Sequence, residues 1–391
     1  MTRGYIKTTF GKVATLQQGL AFNKKTNHLM AKNGIPLLRI VNLKNGTSDK
    51  FVNEREVNPK FISTKEDIIF TRTGQVGLVF RGRHGIVHNN CFRVIPYENI
   101  SRGYMYWYLR QDIIRRKANA LAGGSAQPDL NHNAFKSIGF IYPEDLQTQE
   151  SVANTLQNYE DLVENNSKRI EKLESMARLL YRHYFEVPES DGWEELPLSE
   201  ALVVHRGKSY KSSELSESGG LPFVNLKCIN RGGGFRKDGL KLFTGSFKEE
   251  QLVEKGDLVM AVTDMTQERM IIARAARVPS LDGGYGVISM DMVKLEPKEG
   301  FVKDYLYAML RWSRFADEVK NHANGANVLH LIPARITDFS LPMPPQELQQ
   351  EFSENISPLL NLIDNLQLKN EALVKARDLL LPRLMSGEIE V

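Results

Sequence analysis

The chain has 391 residues, with 51 Lys and Arg against 47 Asp and Glu, 41% hydrophobic and 9% aromatic residues. That is enough for two or three packed domains, and it excludes collagen-like, low-complexity and wholly disordered classes. No apolar run reaches the roughly 18 residues of a membrane span, the N-terminus MTRGYIKTTF has no apolar signal segment, and Cys91 and Cys228 form no CxxC. A cytoplasmic protein without membrane, disulfide framework or thiolate zinc site is expected.

In chain order, residues 1–143 read as a β-rich block. Short β-branched or aromatic runs such as PLLRIVNL, DIIFTRTG and FRVIP are bounded by Gly, Asn, Asp and Pro, with one helical stretch, YMYWYLRQDIIRRKANAL. The block holds 22 Lys and Arg against 8 Asp and Glu, net +14, which is an electrostatic footprint for nucleic acid or another polyanion. Residues 144–187 carry apolar residues spaced alternately by four and three, through Val152, Leu156, Tyr159, Val163, Asn166, Ile170, Leu173, Ala177, Leu180 and Tyr184. That is the seam of a long coiled-coil helix. Residues 188–343 form a second β-rich block, with 20 Lys and Arg against 22 Asp and Glu and the helical stretch DYLYAMLRWSRFADEVKNHA. Residues 344–391 repeat the seam at Phe352, Ile356, Leu359, Ile363, Leu366, Asn370, Leu373, Arg377 and Leu380, with Pro358 expected to kink or delay its start.

The second half repeats the first. YIKTTFGKVATLQQG from Tyr5 matches WEELPLSEALVVHRG from Trp193, PLLRIVNLKNG from Pro36 matches PFVNLKCINRG from Pro222, DIIFTRT from Asp67 matches DLVMAVT from Asp257, and YMYWYLR from Tyr104 matches YLYAMLR from Tyr305. The expected fold is α+β: two similar β-rich domains separated by two long antiparallel coiled-coil helices, with a pseudo-twofold axis. The first helix ends near Val187 and the second block begins near Trp193, a connection so short that the second helix buries its stripe only by running back along the first. Asn166 and Asn370 are the polar residues of the two seams, and pairing them fixes a register that sets Tyr184 against Phe352 and Leu156 against Leu380.

The duplicated blocks and helices, TRTGQVG at Thr71–Gly77, GDLVMAVTDMTQERMIIARAA from Gly256, GGSAQPDLN from Gly123 and the ending LLLPRLMSGEI from Leu379 together resemble the specificity subunit of Type I restriction-modification systems. The resemblance covers essentially the whole chain. It implies two target recognition domains, each reading half of a split site on double-stranded DNA, and helices that act as spacer and as docking platform for two methyltransferase subunits, joined by restriction and translocase subunits. S-adenosylmethionine, Mg²⁺ and ATP then belong to those partners, and none to this chain. The second copy departs from GGSAQPDLN, having NGANVLHLI from Asn324.

The residues agree with a subunit that has no chemistry of its own. There is no NPPY- or DPPY-like tetrad, no GxxxxGK[ST] phosphate loop and no HExxH; PMPP at Pro342–Pro345 reads as a helix entry. Base edges are read by Arg, Asn and Gln, and phosphates are held by Lys, Ser and Thr. In the first block the candidates are Arg39, Asn42 and Lys44 after the Pro36 strand, Arg72, Thr73 and Gln75 in TRTGQVG, where Arg72 and Gln75 are expected to project, and Arg81, Arg83 and His84 in the following turn. In the second block they are Arg206, Lys208, Lys211, Lys227, Arg231, Arg236, Lys237 and Lys241, and then Thr263, Thr266, Gln267 and Arg269 of TDMTQER. Met260, Met265 and Met270 are assigned to packing, and His132 and His330 to structural hydrogen bonds. Two other classes fit this level of reading: a coiled-coil scaffold whose blocks bind proteins, and an RNA-binding or repair adaptor.

Overall fold

A computed structural model describes residues 4–124, 126–187 and 192–390. Ser125 of GGSAQPDLN and the connection at 188–191 lie outside the described residues. The chain divides into two compact units, Met1–Asn165 with Asn370–Val391, and Asn166–Lys369.

In the first unit, Tyr5–Thr9 pairs antiparallel with Gly139–Pro143, so the two ends of the block are tied together before the long helix begins. A four-stranded sheet runs in the order Ala14–Gln18, Cys91–Pro96, Ile68–Thr71, Val79–Phe80. A five-stranded sheet runs Met30–Ala31, Phe51–Val52, Ile35–Leu38, Gly85–Val87, Ile62–Ser63, and only its Ile35–Leu38/Gly85–Val87 pair is parallel. Under the four-stranded sheet lies an aromatic core in which Phe135 meets Phe10 at 4.9 Å, Phe70 at 4.9 Å and Phe92 at 5.0 Å between ring centroids.

The second unit repeats this strand for strand. Glu194–Pro197 pairs with Ser340–Met343, the four-stranded order is Leu202–Arg206, Met292–Pro297, Leu258–Ala261, Ala275–Arg277, and the five-stranded order is Leu215–Ser216, Lys241–Phe243, Leu221–Val224, Tyr285–Ile288, Leu252–Glu254. Its parallel pair is again the central one, Leu221–Val224 with Tyr285–Ile288. The residues filling the core differ: where the first unit has Phe10, Phe70, Phe92, Phe135 and Phe140, the second has Leu198, Met260, Val293, Ile336 and Leu341, all buried.

Several matched residues have a physical reason. A Cβ on Gly19 would stand 2.3 Å from the His88 carbonyl oxygen, and one on Gly207 would stand 2.0 Å from that of Ser289, so both positions admit only glycine. Asp67, leading its strand, accepts from Arg93 at 2.8 Å, and Asp257 pairs with Lys294 at 3.0 Å. Gln149 and Gln349, at the start of the long helices, are buried, and each receives a backbone N–H of its own block, Ser101 at 2.8 Å and Val302 at 3.1 Å. Their amides donate to Pro143 and Pro344 carbonyls at 2.9 and 3.0 Å, so no buried polar atom of the joint is left without a partner.

The helical stretch expected in each block is two helices. Arg102–Leu109 is followed by Asp112–Leu121 in the first, and Lys303–Trp312 by Phe315–Val319 in the second. The long helices span Leu146–Phe185 and Gln346–Ser386. Pro358 does not delay the start of the second: it sits exposed inside it. In the first unit the helices run antiparallel, since Asn370 donates to the Val163 carbonyl at 3.4 Å, Arg377 pairs with Glu160, and Leu156 shares a core with Leu380 and Leu381. In the second, Tyr184 stands 5.6 Å from Phe352 between ring centroids and Ala177 packs in one core with Ile356 and Leu360, again antiparallel. Asn166, buried, and Asn370, half-buried, fall in different units.

Candidate nucleic-acid interface

TRTGQVG leaves the end of Ile68–Thr71 and is fastened to GGSAQPDLN. The Gly74 N–H donates to the Pro128 carbonyl at 2.8 Å and the Leu130 N–H to the Arg72 carbonyl at 2.9 Å. Arg72, expected to project, is turned inward: its guanidinium grips the Asp129 carboxylate and donates to Gln18 Oε1 at 3.1 Å, while the Thr73 hydroxyl also donates to Asp129. Burial alone would raise the Asp129 pKa, but the hydrogen bonds from Thr73 and Arg72 outweigh it and hold the carboxyl below its usual range. His132 is pushed the other way from a charged state, its pKa lowered by burial and then by Arg72 and Lys136. Gln75 is left exposed at the loop tip.

The second unit builds the same loop pair from different residues. TDMTQER is fastened to NGANVLHLI, whose role the sequence left open: Thr263 pairs with His330, the Leu331 N–H donates to the Val262 carbonyl at 2.8 Å, and the Gln267 amide donates to the Ala326 carbonyl at 3.0 Å. His330 thus stands where the first unit has Asp129, with the Thr263 hydroxyl 3.5 Å from its Nδ1. Buried Asp264 accepts from the Thr266 N–H and hydroxyl at 2.8 and 2.9 Å and from the Ile271 N–H at 3.0 Å, so the acid shapes the loop from within. Arg269 and Ala273 have left-handed φ of 54° and 60°, a strained conformation for residues with a Cβ. Met260 is buried, as packing requires, but Met265 is 75% exposed and Met270 also lies at the surface. Those two do not pack.

The other candidates divide by burial and partner. Arg39 forms a bidentate pair with Asp49 at 2.6 Å and donates to Asn42 Oδ1 at 3.0 Å, while buried Asn42 donates to the same acid at 2.7 Å. The bonds from Arg39 and then Asn42 lower the Asp49 pKa. Arg39 is the N-cap residue of the short helix Ile40–Asn45, and Asn42 lies in its first turn. Arg81 lies over the Tyr106 ring at 4.4 Å and donates to Gln157 of the long helix. Arg236 is held by Asp238 at 2.5 and 3.1 Å. Lys44, His84, Arg206, Lys211, Lys227, Arg231 and Lys241 are exposed, Arg83, Lys208 and Lys237 half-buried, and Thr263 buried. Arg72, Thr73, Arg39, Asn42, Arg81 and Arg236 thus each have a polar partner within the chain, as Thr266 and Gln267 do, and Thr263 is buried.

Both halves of the chain, residues 4–175 and 190–375, match the family described as Type I restriction modification DNA specificity domain. The chain is 26% identical over 354 residues to the Type I restriction enzyme MjaIX specificity subunit of Methanocaldococcus jannaschii, across 84% of this chain and 79% of that one. It is 24% identical over 392 residues to the MjaVIII specificity subunit of the same organism, across 91% and 86%. In fold it is similar to the S subunit of a Type I restriction-modification system from M. genitalium, with a TM-score of 0.62 at 17% identity, covering 97% of this chain and 96% of that one.

Proposed function

The chain belongs to the family of Type I restriction modification DNA specificity domains, of which it carries two, and on that premise we propose how its residues divide the work of reading DNA. It is a specificity subunit, not the catalytic one, and its target has two parts. Residues 1–143 and 188–343 are the recognition domains, and 144–187 and 344–391 the spacer helices. In the first domain Gln75 reads bases from the tip of TRTGQVG, with Lys44 and Arg83 on flanking phosphates. In the second, Gln267, Thr266 and Arg269 occupy the equivalent tip, with Lys208, Lys211, Lys227 and Arg231 on phosphates. Arg72, Thr73 and Asp129 hold the first tip rigid, and Thr263 with His330 does so in the second.

The observation that carries this reading is the duplicated loop pair, built on the same backbone bonds in both units but carrying different side chains at its tip. A duplicated scaffold with unlike tips reads an asymmetric, bipartite sequence. The helices are the spacer between the readers and the platform for two methyltransferase subunits, which restriction and translocase subunits join. S-adenosylmethionine, Mg²⁺ and ATP act on those partners, in the cytoplasm, and Asn166 and Asn370 set the register of the seam. No helix among the described residues is long and apolar enough to cross a membrane. Sequencing methylated bases in a host with and without this gene tests the reading: loss of one split motif with unlike halves supports it, and an unchanged methylation pattern overturns it.

A further inference from the structure

The helix Asp112–Leu121 of the first unit packs directly against the first reading loop. Its Asn119 amide donates to the Val76 carbonyl of TRTGQVG at 3.1 Å, and a Cβ on Gly77 would lie 2.9 Å from the Arg115 Cγ. Two residues past its end the chain enters GGSAQPDLN, where Gly123 and Asp129 pair through their backbones. Ile114 and Ala118 are its buried face. Arg115, Arg116 and Lys117 are exposed, and none has a carboxylate partner among the described residues.

The repeat supplies an internal control. In the second unit the same buried face is Phe315 and Val319, on the helix Phe315–Val319, but the positions of Arg115, Arg116 and Lys117 are held by Ala316, Asp317 and Glu318. There the acids are consumed internally: Asp317 pairs with Arg274 at 2.7 Å and Lys320 at 2.8 Å, and Glu318 with Arg314 at 3.5 Å. Three adjacent cationic heads without a carboxylate partner repel one another, and the equivalent helix packs without them. Their charge is therefore available for something outside the chain. With Arg72 paired to Asp129, they stand on the helix that packs against the loop carrying the exposed Gln75.

We propose that Arg115, Arg116 and Lys117 contact the DNA backbone phosphates beside the half-site read by the first domain, an anchor that the second domain lacks. The anchor rests on the reading of TRTGQVG as the first reader, but it makes a separate prediction. Each phosphate contact contributes about 0.9 to the slope of log affinity against log salt. The full-length chain carrying Arg115→Gln, Arg116→Gln and Lys117→Gln is titrated over a range of salt with a duplex bearing the split motif read from methylated host DNA. The slope falls by about two to three units, the preference for an intact first half-site is retained, and the melting temperature does not move. The charge-keeping variant Arg115→Lys with Arg116→Lys keeps the slope. An unchanged slope in the triple variant overturns the proposal, and so does a fall in slope in the charge-keeping variant. Gln75→Ala separates the two readings, because it removes first half-site preference without changing the slope. If Gln75→Ala leaves that preference intact while the triple variant lowers the slope, the assignment of the reader fails and the phosphate anchor stands.

Discussion

The two halves share the strand orders of their four- and five-stranded sheets and differ sharply in their charge. The first block carries +14 from 22 Lys and Arg against 8 Asp and Glu, and a core of stacked phenylalanines; the second has 20 against 22, and Leu, Met, Val and Ile at the same core sites. What survives duplication is what the backbone demands: glycines where two strands touch, an acid caught by a cation on the neighbouring strand, a buried glutamine at each helix start. What has diverged is whatever points outward, and also what fills the core, since a core tolerates exchange of apolar side chains if volume and pattern are kept.

The largest expected effect lies in the core. Phe135→Ala removes a ring in contact with three others and costs about 3–5 kcal/mol, while Ile336→Ala, at the equivalent place, costs about 2–5 kcal/mol. Denaturant unfolding checks both, and a near-zero cost for either would break the equivalence of the two cores.

A smaller pair of opposite sign sharpens the loop comparison. Gly77, with φ of 89°, and Ala273, with φ of 60°, occupy the same turn, each donating its N–H to the strand before it. Gly77→Ala costs about 1–2 kcal/mol because the left-handed region and Arg115 both oppose a Cβ. Ala273→Gly relieves strain of that order, partly offset by the added freedom of the unfolded chain, and is neutral or stabilising. Thermal melts of the two variants shifting in the same direction would contradict the shared turn.

The smallest effect concerns acid. The folded-state pKa of Asp129 is lowered below its ordinary 3.8, so its contribution is fully present above that value and is lost as pH falls through the lower folded value. Amide exchange of the first loop pair is thus flat from neutral pH down to about 4 once the intrinsic rate is removed, and rises only below it. Asp129→Asn removes that acid step, whereas a step persisting in the variant would assign it to another group.

Much of this was legible in the sequence. Duplication, the two seams and the β-rich blocks rest on periodicity and matched strings, which report backbone needs directly. All ten positions of the first seam are buried or half-buried. The candidate site was less legible, because an Arg in a polar loop looks the same whether it faces a base or an acid far along the chain. The partner of Arg72 is Asp129, 57 residues away, and nothing local marks that pairing. Arg39 and Asn42 were masked in the same way by Asp49. The Arg115–Lys117 run was visible as charge but gained meaning only when the fold set its helix against the reading loop, and Met265 and Met270 were assigned to packing by their chemistry although their loop carries them outward.

The central claim, that two equivalent loop tips read two unlike half-sites, is tested most directly by sequencing methylated bases in hosts carrying Gln75→Ala or Gln267→Ala in place of the natural gene. Each variant is expected to relax the motif in one half only, a different half for each, with the spacing between the halves unchanged. Relaxation of the same half by both variants, or of neither, would contradict it.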